Sequence, residues 1–130
     1  MAYHRVLITG ARGFVGTHLV RQLLSEDKLV VGLVDDDGPW GVYPHNRLIR
    51  VFGDVRDTDL IFRLLVDYDI DVLLHLAAQA IVPKALLNPF ETFDSNVRGT
   101  YSVLDACRRY KDGLKGILIH SSDKALGAQS

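Results

Sequence analysis

The sequence predicts an α/β protein built on a mostly parallel, doubly wound sheet, and three observations predict it. Short aliphatic runs alternate with segments of helical periodicity in the rhythm β-α-β-β-α-β-α-β. The first run, Val6 to Ile8, leads directly into glycines at 10, 13 and 16 and then into an amphipathic pattern. Small or polar residues (Gly10, Asp35, Asp54, Ala77-Ala78 and Ser122) close five successive runs. Ligands of such sheets bind outside the carboxyl ends of the strands, and that edge is where this chain concentrates its polar chemistry.

The chain has 130 residues, enough for one domain with a sizeable core. At 48% hydrophobic and 24% charged residues it has the composition of a globular protein rather than a disordered or membrane one. A net charge of −1 without a basic run argues against nucleic acid as a partner. No apolar run approaches the ~20 residues needed to cross a bilayer, and the amino terminus lacks a signal-peptide core, so cytoplasm is expected. The one cysteine, Cys107, sits within a helical pattern and reads as a packed thiol; no metal site is expected.

In order, the first strand covers about residues 4–9 and the first helix about 14–25. Leu29 to Val34 forms the second strand, ending in Asp35, Asp36 and Asp37; Gly38, Pro39, Gly41 and Pro44 then mark a loop. Leu48 to Phe52 is the third strand. Asp57 or Thr58 caps a helix with apolar positions Leu60, Ile61, Leu64, Leu65 and Tyr68. Val72 to Leu76 is the fourth strand. Asn88, Pro89 and Glu91 give a helix start: a cap, a proline at the first position and a glutamate that reaches back to the cap. The stripe Phe90, Phe93, Val97, Tyr101, Leu104, Cys107 carries that helix to about Tyr110. Ile117 to Ile119 is the fifth strand, delivering His120, Ser121 and Ser122.

Each glycine of the first turn has a distinct expected use. Gly10 permits a tight turn, Gly13 lets a phosphate approach the backbone, and Gly16 lets the helix pack closely on the strand. The helix start directs unpaired N–H groups at an anion. An ordinary glycine-rich strand-to-helix turn would look the same, so the downstream residues decide. Asp35, 19 residues after Gly16, ends the second strand, where a carboxylate accepts both hydroxyls of an adenosine ribose and repels a 2′-phosphate. NAD is therefore favoured over NADP. Arg12 either pairs with such a phosphate or faces solvent or a diphosphate. Asp54 either meets an adenine amino group or caps the following turn, and Asp36 and Asp37 read as solvated loop acids.

T-G-A-R-G-F-V-G, G-D-V-R-D, H-L-A-A-Q and N-V-R-G-T-Y-S-V-L-D-A together resemble the extended short-chain dehydrogenase/reductases, the NAD-dependent epimerases and dehydratases of sugar nucleotides. The resemblance runs from the first strand to Gly127 and implies a Rossmann-type sheet of strand order 3-2-1-4-5, here truncated after strand five. It implies that Phe14 and Val15 contact the diphosphate through their backbone. Asp54 and Val55 border the adenine, Leu76, Ala77, Ala78, Gln79 and Ala80 line the ribose and diphosphate, and Ser95 and Asn96 lie near the nicotinamide.

S-S-D-K-A-L-G is similar to the family's strand-five segment, which places the catalytic hydroxyl at Ser122; without the resemblance, Ser122 is a polar strand terminus. Asp123 and Lys124 match the pair that handles elimination of water in 4,6-dehydratases, in the version closest to CDP-glucose 4,6-dehydratases; a surface ion pair is the plain alternative. Leu126 stands where the family has tyrosine, and Ala85 where it often has serine. None of the tyrosines at 3, 43, 68, 101 and 110 has lysine four residues later, so the family's Tyr-x-x-x-Lys is absent. Residues 1–130 therefore read as an NAD-binding domain, the amino-terminal part of a sugar-nucleotide dehydratase or epimerase without its substrate lobe. No turnover is expected of this chain alone, because a serine hydroxyl of ordinary pKa is too weak a base. A free-standing nucleotide-binding module is the reading from another class. Self-association through strand five or the long helix is expected, since each would expose an apolar face.

Overall fold

In a computed structural model of the chain, residues 3–11, 14–35, 45–76, 89–110 and 113–120 are described, with the side chains of 14, 89–97 and 120 outside the description. Within them, five strands and three helices follow one another as β1 (Arg5–Thr9), α1 (Phe14–Ser25), β2 (Leu29–Val34), β3 (Leu48–Phe52), α2 (Thr58–Asp67), β4 (Val72–Leu76), α3 (Pro89–Arg109) and β5 (Gly116–His120). All pairings are parallel and the sheet order is β3-β2-β1-β4-β5, the order expected.

β1 is central, and its side chains alternate between two cores. Val6 and Ile8 pack with Val20, Leu23 and Leu24 of α1. Leu7 points the other way, into a cluster with Ile61 and Leu65 of α2 and Val103, Ala106 and Cys107 of α3. Val6, Leu7 and Ile8 have no exposed surface, and burying each contributes roughly 1.5–3 kcal/mol. The helices therefore divide as the doubly wound class requires, α1 on one face and α2 with α3 on the other.

Local chemistry sets the helix ends. Asp57, rather than Thr58, caps α2, its carboxylate accepting from the Leu60 N–H at 3.1 Å. α1 and α2 stop in the same way. Asp27 and Asp69 adopt positive φ (62° and 51°), and the next residues, Lys28 and Ile70, donate back to Leu23 and Leu65 across the last turn. Both positions are ones where glycine is the usual residue.

The long helix departs from its expected stripe. Tyr101 is 75% exposed and Leu104 46%, while the face turned to the core is Gly99, Ser102, Val103, Ala106 and Cys107. Small residues on that face let α3 lie close to α2 and to the turn after β3, and Tyr101 and Leu104 are left outside. Cys107 is a buried, packed thiol as expected, and burial pushes its pKa up to about 11. β5 ends the sheet among the described residues, and Ile117, Leu118 and Ile119 are all partly exposed.

A residue without an obvious signal joins three strands at their amino ends. The Asp71 carboxylate accepts the backbone N–H groups of His4 (2.7 Å) and Arg5 (2.9 Å), and its own N–H donates to the Arg5 carbonyl. The Asp71 carbonyl accepts from Lys115 at 2.6 Å, just before β5. Asp71 is only 8% exposed, so deleting its carboxylate would leave two donors without partners. Asp71→Ala is expected to lower unfolding free energy by about 2–3 kcal/mol, with Asp71→Asn closer to the parent, as read by urea denaturation.

Candidate functional site

The carboxyl ends of β1 to β4 and the amino end of α1 meet along one edge of the sheet. Gly10 follows β1 with φ 71°, and a Cβ there would collide with the Leu76 carbonyl oxygen at the end of β4. The turn thus needs glycine twice over, for its backbone angle and for the neighbouring strand. Gly16 is required for a different reason from the one expected. Its missing Cβ would lie 2.6 Å from the carbonyl oxygens of Gly10 and Ala11, so at Gly16 the start of α1 lies against the turn, and the helix packs on the strands further along. Gly13 and Arg12 lie outside the described residues. Phe14 opens α1, and Val15 is 42% exposed beside it.

Asp35 follows β2 and is exposed, one strand over from the glycine turn. Asp54 follows β3, and its carboxylate is gripped by Arg56. The guanidinium donates at 2.6–3.0 Å from Nη2 and Nε, and the Arg56 backbone N–H donates to Oδ1 at 2.9 Å. These bonds, the side-chain ones foremost, hold the Asp54 carboxyl below the ordinary carboxylate range. The turn-organising alternative for Asp54 is therefore present in the geometry. Val55 is half-buried against Gly99 of α3, its Cγ1 2.9 Å from where a Cβ on that glycine would stand.

Leu76 is 4% exposed and closes β4; Ala77, Ala78, Gln79 and Ala80 lie outside the described residues. Ser95 and Asn96 fall within α3, with side chains outside the description. Ser122, Asp123 and Lys124 also lie outside it, as do Asp36 and Asp37, the Gly38–Pro44 loop and the Asn88 cap.

Three residues that sequence reasoning passed over stand at the centre of this edge. Thr9 and His75 are paired across β1 and β4, and the Thr9 hydroxyl lies 2.5 Å from His75 Nδ1. On its other side the ring reaches Thr100 of α3, with Nε2 at 3.2 Å from the hydroxyl. Thr9 and His75 are 1% and 4% exposed. A neutral ring has one N–H and one lone pair, so one hydroxyl accepts from it and the other donates to it. Burial lowers the His75 pKa from its ordinary 6.5, which favours that neutral ring. The available signal was the histidine itself, a polar residue within an otherwise aliphatic strand.

The described residues fit a dinucleotide. α1 begins at the ligand edge, where its first amides have no intrahelical partner, and an exposed carboxylate ends the adjacent strand. Among the described residues no group of histidines, cysteines and carboxylates is placed to hold a metal ion, and no helix is long and apolar enough to cross a membrane.

Comparison with known proteins agrees with this geometry. Residues 6–130 match the NAD dependent epimerase/dehydratase family. A UDP-glucose 4-epimerase of Lactobacillus helveticus is 36% identical over 104 residues, 78% of this chain and 31% of that protein. The UDP-glucose 4-epimerase of Thermus thermophilus, solved with NAD, superimposes with a TM-score of 0.70 at 31% identity, covering 82% of this chain and 34% of that one. The dTDP-glucose 4,6-dehydratase of Streptomyces venezuelae, also solved with NAD, gives 0.72 at 30% identity, with 87% and 38% covered. The chain spans about a third of the length of these relatives.

The lowered His75 pKa has a consequence for stability. Between the folded and unfolded pKa values the unfolded chain binds more protons, so stability rises with pH there. The His75 contribution is complete above about pH 6.5 and is lost as pH falls through the folded pKa, by at most about 1.4 kcal/mol per pH unit. His75→Gln removes this proton, so urea titrations from about pH 7.5 down to about pH 5 are expected to show a smaller decline for the variant than for the parent.

Proposed function

The chain belongs to the NAD-dependent epimerase/dehydratase family, and from that premise we propose that it is the NAD-binding portion of a sugar-nucleotide 4,6-dehydratase or epimerase. The observation that carries this reading is the exposed Asp35 carboxylate, one strand over from the Gly10 turn and the opening of α1. Gly10, Arg12, Gly13, Phe14, Val15 and Gly16 would hold the diphosphate, and Asp35 the adenosine ribose. Asp54 and Val55 would border the adenine. Leu76 to Ala80 would line the ribose and diphosphate, with Ser95 and Asn96 toward the nicotinamide. When bound, NAD supplies a hydride acceptor for C4 of the sugar.

The protein's own part in the chemistry is assigned to Ser122, whose hydroxyl would hydrogen-bond the sugar hydroxyl. Asp123 and Lys124 would serve elimination of water, and this pair supports a dehydratase over an epimerase. A nucleotide-binding module without turnover is the second reading. A carboxylate at the ribose discriminates by repulsion, so Asp35→Ala is expected to weaken NAD several-fold and to narrow its advantage over NADP. Calorimetric titration measures both; equal affinity for NAD and NADP in the parent chain would overturn the assignment.

Association of two copies belongs to the same proposal. Tyr101 and Leu104 on α3 and Ile117 to Ile119 on β5 are exposed, and an apolar-edged groove of about 450 Å³ separates the end of α3 from β5. Light scattering at micromolar concentration is expected to give a mass above 14.5 kDa that rises with concentration. A constant monomer mass over a wide range would contradict it.

A further inference from the structure

The polar groups around His75 form a connected set. The glycine turn, the end of β4 and the turn after β3 are all placed by one short segment of α3, Gly99 to Ser102. Thr100 holds the His75 ring, which holds Thr9, the residue immediately before Gly10. Gly99 receives Val55 and lies 4.0 Å, by its absent Cβ, from His75 Cε1. The Ser102 hydroxyl donates to the Arg56 carbonyl at 2.7 Å, in the turn that carries Asp54. Leu76, next to His75, sets its carbonyl against Gly10.

We propose that the Thr9–His75–Thr100 bridge is a positioning element for dinucleotide binding: through a buried ring it holds the glycine turn against α3, so affinity for NAD depends on it. The ring acts through Thr9 and Gly10 rather than by touching the ligand. Its two hydroxyl partners sit on different elements, β1 and α3, so losing either frees the turn from the helix. The inference rests on the NAD reading above.

The test is calorimetric titration of the full chain with NAD, beside thermal unfolding, for Thr9→Val, Thr100→Val, the double variant and Thr100→Ser. Each valine variant is expected to bind NAD about 5–10-fold more weakly, within the range over which such networks modulate coupling. The double variant should be no weaker than the weaker single one, because both changes break the same bridge. Thr100→Ser keeps the hydroxyl and should restore parental affinity. Valine variants that lose melting temperature but keep the parent's NAD affinity would show a merely structural role and overturn the proposal, as would failure of Thr100→Ser to rescue.

The parent alone supplies a second readout should the valine variants not fold. The ¹⁵N resonances of the His75 ring should shift as NAD is added, and an unmoved ring overturns the proposal. A parent that does not bind NAD overturns the functional reading and this inference together. A parent that binds, with variants unaffected, overturns this inference alone.

Discussion

Burial of β1 from Val6 to Thr9 is the constraint on which the rest of the structure depends. A strand with neighbours on both edges and helices over both faces has no water with which to satisfy its polar groups. Its backbone is satisfied by parallel pairing to β2 and β4. Its one buried polar side chain, Thr9, has to find a partner inside the protein, and it finds His75. That ring in turn needs a partner for its second nitrogen, which brings in Thr100 of α3. A hydroxyl at the end of the first strand is in this way linked to the long helix.

The glycine turn is part of the same constraint. Gly10 leaves β1 at a left-handed angle beside the Leu76 carbonyl, and Gly16 brings α1 down onto the carbonyls of the turn. In both cases a side chain would meet protein backbone, so these two glycines are needed whether or not a ligand is present. A sharply folded, tightly packed turn at a helix start is also the kind of place that suits an anion.

Much of this was legible in the sequence because burial writes a simple pattern. The aliphatic runs ending at Ile8, Val34, Phe52, Leu76 and Ile119 gave the strands, and their alternation with helical periodicity gave the parallel, doubly wound sheet. Asp35 could be placed at a strand end from the length of its run. What periodicity could not convey was partnership over distance. Asp71 looks like a loop acid, and only the fold reveals that it caps the start of β1. Tyr101 and Leu104 continue an apolar stripe, yet small residues take the buried face, where α3 approaches α2 and the turn after β3. Asp54 keeps both of its readings, and the grip of Arg56 on its carboxylate was not legible from spacing.

The two ends of β1 are fastened to the same distant stretch of chain. Asp71 grips His4 and Arg5 at one end, and His75 grips Thr9 at the other, across 67 and 66 residues respectively. Such long-range pairing closes a large loop and is correspondingly slow to form. During vectorial synthesis, β1, α1, β2 and β3 are available to one another well before residues 71–76 leave the ribosome. Until then the nascent sheet carries an open inner edge along its most hydrophobic strand, and its later closure by β4 is what commits the chain to this topology.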